Sequence, residues 1–343
     1  MKMNKKKREY LLIIFSFFIG CIVGMIFLQT RKEDNRELKK IIQNAQDAEV
    51  TIESYNGTVR EGTGSGFIYK IKNNKAYVLT NEHVLSEKVM VINQDGKECE
   101  GTILGKDKSM DTAVVEINKN CAKKTVKLGD SGKVEVGDNI FTITSPVGKE
   151  YQGTITKGII SGVNRTVSIS SEEEQEWIMN AIQFDAMINP GSSGGALLNE
   201  KGQVIGICSL KLIKEEIEGM SFAIPINGVK KNLEALEKGN DIKYPELGIA
   251  MVNTNNTEVL QEYNISLTTD IAGVVIIDIK KDSSAEKKLQ KGDIIVGIED
   301  SVIKDTDQVK YALTNYKVGE TVNIKVIRNN KEKTIKVVLK EAS

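Results

Sequence analysis

The sequence predicts a mainly β chain in two folded parts, preceded by one transmembrane helix. Three observations carry this. Residues 48–226 read as many short strands, among them 66–69, 76–80, 112–117, 139–144 and 203–209. Turns such as Asp95-Gly96, Val136-Gly137-Asp138 and Glu200-Lys201-Gly202 separate them, which is the pattern of an all-β barrel or sandwich domain. Residues 244–343 mix strands with a helix, giving an α+β module of ordinary domain size. In front of both, Lys5-Lys6-Lys7-Arg8 leads into an uncharged run over residues 11–28.

Residues 1–9 form a basic amino terminus, placed in the cytoplasm. Residues 10–28 form the anchor. At ~1.5 Å per residue the uncharged run spans about 27 Å, close to a bilayer core. No small-residue cleavage site follows it, which favours a retained anchor over a removed signal peptide. Lipid attachment at Cys21 is a rival, but the run stays apolar past that residue. Arg31, Lys32, Arg36, Lys39 and Lys40 lie just beyond the span, so charge bias is a weak guide to orientation. Residues 29–47 read as a charged stalk with Leu38, Ile41, Ile42 and Ala45 at helical spacing.

Within the β domain, the acidic run Glu172-Glu173-Glu174-Gln175-Glu176 interrupts the strand pattern and predicts an exposed loop over 166–180. A linker over 227–243 begins as a helix with Val229, Leu233 and Leu236 on one face and Gly239 as its stop. In the last part, 273–279 and 293–298 read as strands, 308–315 as a helix, and 321–328 with 334–339 as a hairpin around Asn329-Asn330.

The formal net charge is zero, which gives no footprint for a nucleic-acid partner. The single histidine and the scattered cysteines Cys21, Cys99, Cys121 and Cys208 match no zinc spacing, so neither a metal nor a cofactor is expected. Only Cys99 and Cys121 are placed to pair, and the sequence leaves open whether they do. A Gly-x-x-x-x-Gly-Lys-Ser/Thr phosphate loop is absent, so no nucleotide drives the protein.

The chemistry rests on three positions. His83 is the only imidazole, in Leu79-Thr80-Asn81-Glu82-His83-Val84. Asp111 directly precedes the apolar run Thr112-Ala113-Val114-Val115, and Ser193 sits in Asn189-Pro190-Gly191-Ser192-Ser193-Gly194-Gly195. The order His, Asp, Ser is that of chymotrypsin-type enzymes, not of subtilisins or α/β-hydrolases. A serine hydroxyl is a poor nucleophile until a base takes its proton, which suits His83. Asp111 would fix the imidazole tautomer, and the amides of Gly191 and Ser193 would hold a developing oxyanion. Asp107 is a nearby rival for the acid. Taken singly, each residue also has a plain structural reading, as a turn serine, a packed histidine or a capping aspartate.

Five segments together resemble the HtrA (Deg) family of trypsin-fold serine proteases. They are Gly62-Thr63-Gly64-Ser65-Gly66-Phe67-Ile68, the His83 segment, Asp111-Thr112-Ala113-Val114-Val115, residues 185–195, and Ser221-Phe222-Ala223-Ile224-Pro225. Beyond residue 244, Glu246-Leu247-Gly248-Ile249 and Lys291-Gly292-Asp293-Ile294-Ile295 resemble the PDZ domain that follows such proteases. The resemblance implies a trypsin-like double β-barrel over 48–226 and a PDZ domain over 244–343. It implies His83 as base, Asp111 as orienting acid, Ser193 as nucleophile, and Gly191 with Ser193 as oxyanion donors. Two positions depart from the family, Ser192 for the usual Asn and Ala196 for the usual Pro.

Further expectations follow from it. The substrate pocket is assigned to Met187, Ile188, Ile207, Cys208 and Phe222, with no carboxylate to receive Lys or Arg. Leu247, Gly248 and Ile249 form the PDZ loop that captures a terminal carboxylate. Arg165 and its acidic loop stand where a regulatory sensor is found. The implied partners are unfolded polypeptides, carboxyl-terminal peptides, the membrane through 10–28, and two further copies in a homotrimer. The expected protein is a single-pass cell-membrane endopeptidase, with both folded domains outside the cytoplasm, degrading damaged proteins. The alternatives are an inert PDZ-bearing scaffold or holdase, or a narrow protease of one membrane signalling protein.

Overall fold

A computed structural model describes residues 36–170, 176–210, 219–240, 242–267 and 271–341, together with Phe15. The predicted anchor over 10–28 otherwise lies outside the described residues. Among the described residues no helix is long and apolar enough to cross a membrane.

Six strands close the first barrel: β1 (Glu49–Asn56), β2 (Val59–Lys72), β3 (Lys75–Thr80), β4 (Lys88–Asn93), β5 (Glu98–Asp107) and β6 (Thr112–Asn118). Their order is β1-β2-β3-β6-β5-β4, and antiparallel pairing of β4 with β1 shuts the ring. The second unit holds β7 (Lys127–Leu128), β8 (Asn139–Thr144), β9 (Thr154–Ser170), β10 (Glu176–Phe184), β11 (Ala196–Asn199), β12 (Gln203–Cys208) and β13 (Ser221–Pro225). Its order is β11-β8-β9-β10-β13-β12-β7, and a β11–β12 pairing closes it.

Period-2 alternation explains why these strands bury both faces. On β6, Ala113, Val115 and Ile117 point into the first barrel, while Val114 joins the core between the barrels. On β3, Ala76 and Val78 line the first barrel and Leu79 the inter-barrel core. His83 and Asp111 stand next to the ends of these two strands, so barrel packing fixes their backbones.

Two expectations are corrected. Residues 36–46 form a helix, α1, that is not a free stalk: Leu38 and Ile42 pack on the inter-barrel core and Ala45 is buried in it. Its helical apolar spacing is the core-facing stripe of an amphipathic helix. The predicted loop over 166–180 is mostly a strand pair. β9 and β10 stay in antiparallel register from Glu176↔Ser170 inward, including Met179↔Val167 and Ala181↔Arg165. In the sequence, the acidic run concealed the strand character of the segments that flank it. Cys99 and Cys121, left open by the sequence, are joined in a disulfide.

The helix α2 (Ile226–Glu237) follows β13 and buries Ile226, Val229 and Leu236 in the inter-barrel core. The last unit contains β14 (Pro245–Glu246), β15 (Ile249–Asn253), α3 (Thr257–Glu262), β16 (Val274–Ile279), β17 (Ile294–Ile298), β18 (Ser301–Val302), α4 (Thr306–Leu313), β19 (Thr321–Arg328), β20 (Lys331–Val338) and β21 (Lys340–Glu341). Among the described residues β15 is an edge strand, paired only with β16. Asp305 caps α4, its carboxylate accepting from Gln308 N at 2.8 Å.

One buried acid stands out. Glu49, at the start of β1, is 1% exposed. Burial pushes its carboxyl from the ordinary 4.5 up to about 7, against hydrogen bonds from Ser145, Gln94, Gln152 and the Gly153 amide. A folded-state pKa above the unfolded one means that the native state holds the proton more tightly. The associated stability is full below the unfolded value and is lost as pH rises through about 7. The shift corresponds to roughly 3 kcal/mol. Urea unfolding of the wild type and Glu49→Gln at pH 5 and pH 8 should show the variant gaining on the wild type by an amount of that order. A gap independent of pH contradicts it.

Candidate active site

Asp111 lies wholly buried in the turn before β6, with a positive φ of 48° that few side chains adopt. Asn81 Nδ2 donates to its carbonyl at 2.8 Å and steadies that turn. Its carboxylate faces His83. The distances from Nδ1 are 2.9 Å to Oδ1 and 2.8 Å to Oδ2, and His83 N donates to Oδ1 at 3.1 Å. Ser209 Oγ donates to Oδ2 at 3.1 Å. A carboxylate at Nδ1 keeps the proton on that nitrogen and leaves Nε2 free to accept one. His83 itself is partly open, its side chain 28% exposed against 0% for Asp111.

Ser193 meets this pair across the seam between the barrels. Its Oγ accepts from Leu210 N at 3.1 Å, and Leu210 directly follows the Ser209 that touches Asp111. Ser193 O accepts from Ser65 N at 2.8 Å, and Gly194 N donates to Cys208 O at 2.9 Å. Gly194 has φ +88°, and a Cβ there would lie 2.1 Å from Ser65 O and 2.3 Å from Thr80 Oγ1. Only glycine fits so close an approach. The structure shows no direct hydrogen bond between Ser193 Oγ and His83 Nε2. Contacts between a hydroxyl and its base are often long without substrate and tighten when it binds.

The backbone before Ser193 is tied from behind. Val147 N donates to Pro190 O at 2.8 Å, and Gly195 N donates to Ser192 O at 3.1 Å. In a trans peptide the N–H points opposite the C=O. Holding those two carbonyls therefore turns the amides of Gly191 and Ser193 the other way. Among the described residues neither amide has an acceptor. Such a pair can receive an oxyanion.

Ser192, in place of the usual Asn, closes the turn itself. Its Oγ accepts from Asn189 N at 3.1 Å and donates to Thr144 Oγ1 at 3.2 Å. Ala196 sits in β11, opposite Ile143 and Ile207. Asp107, the rival acid, is directed elsewhere. It accepts from Tyr244 OH at 2.7 Å and Asn232 Nδ2 at 3.2 Å, and burial pushes its carboxyl up. It ties the linker to the first barrel.

The predicted pocket residues divide. Met187 is 64% exposed, while Ile188 and Phe222 are buried in separate core clusters and present little surface. Ile207 and Cys208 require correction, because both are completely buried in core clusters and present no wall to a substrate. Successive side chains on β12 point to opposite faces, Ile207 into the inter-barrel core and Cys208 into the core of the second unit, so both faces are covered. Burial also pushes the Cys208 thiol up to about 12, which makes it inert. Arg165 lies on β9 and donates from Nε to Gln183 Oε1 at 2.9 Å. Ser209, Asn81 and Ser65 are the contributors that sequence reasoning did not single out. A serine directly after a buried strand was the only available sign of Ser209.

In the last domain, Leu247 is buried and Gly248 has φ +66°. Leu247 O accepts from Ala285 N and Gly248 O from Lys280 N, both at 2.9 Å. With Ile249 they open a cavity of about 470 Å³ between β15 and α4, walled by Val309 and Leu313.

Comparison with known proteins agrees with this layout. The trypsin-like peptidase domain family matches residues 64–207, and the PDZ domain family matches residues 245–339. A serine protease Do-like HtrA of Bacillus subtilis (strain 168) is 36% identical over 325 residues, covering 93% of this chain and 70% of that protein. The Lactobacillus helveticus protein of the same name is 37% identical over 284 residues, covering 80% and 68%. Among solved structures, an HtrA-type protease, AlgW, with a tripeptide superposes with TM-score 0.70 at 25% identity, covering 89% of this chain and 97% of that one. Domain content, relatives and fold agree, and the chain belongs to the HtrA family of trypsin-like serine proteases with one PDZ domain, a family of serine endopeptidases.

Proposed function

We propose that this protein is a membrane-anchored, ATP-independent endopeptidase that cuts unfolded segments of damaged proteins outside the cytoplasm. His83 serves as general base, Asp111 fixes its tautomer, Ser193 attacks, and the amides of Gly191 and Ser193 hold the oxyanion. The observation that carries this reading is the buried Asp111 carboxylate, engaged by both His83 Nδ1 and Ser209 Oγ one residue from the Leu210 amide that holds Ser193. His83 then returns the proton to the leaving amine, and water completes hydrolysis of the acyl-enzyme by the same route.

Specificity follows from what flanks the serine loop. Met187 offers exposed apolar surface and the predicted pocket residues include no carboxylate, so a cationic side chain would be desolvated without a counter-ion. Across a panel of peptides differing only at the cleaved residue, Val, Ala and Ile should exceed Lys and Arg by tenfold or more in kcat/KM. Preference for Arg or Lys overturns this assignment.

The anchor over 10–28 and the extracytoplasmic placement rest on the apolar run and on the Cys99–Cys121 disulfide, which suits an oxidising compartment. The free edge of β15 and the cavity at Leu247, Gly248 and Ile249 suit a carboxyl-terminal peptide added as a strand. Such a peptide would bias the Arg165 hairpin toward a competent state, and assembly as a trimer follows the family resemblance. Adding an apolar-ended peptide to the full chain in detergent should raise turnover several-fold, and its carboxamide should not. Equal turnover under both conditions removes the regulatory role.

A further inference from the structure

Glu49 takes no part in the chemistry above, yet hydrogen bonds connect it to the oxyanion loop. Ser145 Oγ donates to Glu49 Oε1 and accepts from Thr51 Oγ1 at 2.7 Å. Gln94 Nε2 donates to Glu49 Oε2 at 2.6 Å. From Ser145 the connection continues through its backbone. Ser145 N donates to Ser65 Oγ at 2.7 Å, and Ser65 Oγ donates to Gly191 O at 2.7 Å. Ser145 also begins the turn Ser145-Pro146-Val147-Gly148, closed by Gly148 N to Ser145 O at 3.2 Å. Val147, third in that turn, is the residue whose amide holds Pro190 O.

We infer that Glu49 is a positioning residue for the oxyanion hole, acting through Ser145 on the two donors that hold the Pro190 and Gly191 carbonyls. The geometry supports this in three ways. First, the turn is strained. Its third position needs a positive φ and usually carries glycine, whereas Val147 has φ 62°. A β-branched residue there is a genuine outlier and persists only where its surroundings over-determine it. Second, Val147 is 65% exposed, so packing of its side chain does not hold the turn. The turn is held through its first residue, Ser145, which is fully buried on Glu49. Third, Gly191 fits closely against this turn. A Cβ at Gly191 would lie 2.7 Å from Val147 N and 2.8 Å from Ser145 O. A shift of Ser145 would therefore be transmitted to the peptide plane that sets the Gly191 amide.

Glu49 keeps Ser145 in place by accepting its hydroxyl hydrogen, a role an amide oxygen can also fill. The inference rests on Gly191 and Ser193 being the oxyanion donors, and the test separates the two claims. Wild type, Glu49→Leu, Glu49→Gln, Ser145→Ala and Ser193→Ala full-length proteins are compared on one peptide substrate. Inhibition by a peptidyl boronate, which forms a tetrahedral adduct, is measured alongside binding of the same peptide without the boronate. Removing an oxyanion donor outright costs about 10²–10³-fold. Displacing one should cost roughly tenfold in kcat for Glu49→Leu, with KM within twofold. Boronate affinity should fall by a similar factor while binding of the plain peptide holds. Glu49→Gln should recover kcat to within about threefold of wild type. If Glu49→Leu does not fold, Ser145→Ala, which deletes the intervening hydroxyl, should show the same kcat-selective loss.

Unchanged kcat in both Glu49→Leu and Ser145→Ala overturns the inference. So does a Glu49→Gln protein as impaired as Glu49→Leu, or a loss confined to KM. Wild-type turnover in Ser193→Ala removes the assignment of the nucleophile, and the inference with it.

Discussion

Replacement of Ser193 by Ala is expected to lower turnover about 10⁶-fold, the scale of loss when a serine protease loses its nucleophile. The substitution removes one oxygen whose partner is the Leu210 amide. That amide lies at the edge of the site, and the backbone bonds of the loop do not pass through the side chain: Ser193 O to Ser65 N, Gly194 N to Cys208 O and Ser192 O to Gly195 N all remain. Substrate binding should therefore persist while chemistry stops. The measurement is degradation of an unfolded protein such as casein by matched wild-type and variant preparations, with KM or peptide affinity measured on both. Residual activity above about 1% of wild type means that Ser193 is not the attacking group.

The second large effect is at Asp111. Asp111→Asn is nearly isosteric, yet it changes which atoms donate. The carboxylate now accepts from His83 N, from Nδ1 and from Ser209 Oγ. An asparagine must present an NH₂ group to one of these donors. The relief is for its amide to donate to Nδ1, which drives the imidazole proton to Nε2, where it faces the serine and cannot accept. A fall of about 10⁴-fold in kcat is expected from this wrong tautomer. The comparison is with Asp107→Asn, whose side chain faces Tyr244 and Asn232 and should leave kcat within a fewfold. If Asp107→Asn produces the larger loss, the acid has been misassigned.

Much of the fold was legible because its determinants are local. The alternation in Thr112-Ala113-Val114-Val115 and in Ala76-Tyr77-Val78-Leu79-Thr80 is the division of side chains between two cores. The three site residues were legible because each stands at a strand edge in a distinctive run, and His83 is the only imidazole.

What was hidden depends on partners far away in sequence. Ser209 supports Asp111 across 98 residues, and nothing near either residue marks the pair. Ile207 and Cys208 read as pocket wall because of their place in the strands after the nucleophile, but they are buried in two different cores, one on each face of β12. α1 read as a stalk because its charges dominate its composition, although Leu38, Ile42 and Ala45 form a core-facing stripe. The pairing of β9 with β10 was concealed by the acidic run in the sequence between them. Glu49 gave no sign at all, since an acid at the start of a strand is ordinarily solvated.

The most direct test of the assigned chemistry is a crystal structure of the full folded region bearing a peptidyl boronate. The expected result is a covalent bond from boron to Ser193 Oγ. One boron-bound oxygen should lie within hydrogen-bond distance of the Gly191 and Ser193 amides, with His83 Nε2 on the other side and Asp111 still at Nδ1. A boron bonded to any other side chain, or an adduct oxygen turned away from both amides, would contradict the account.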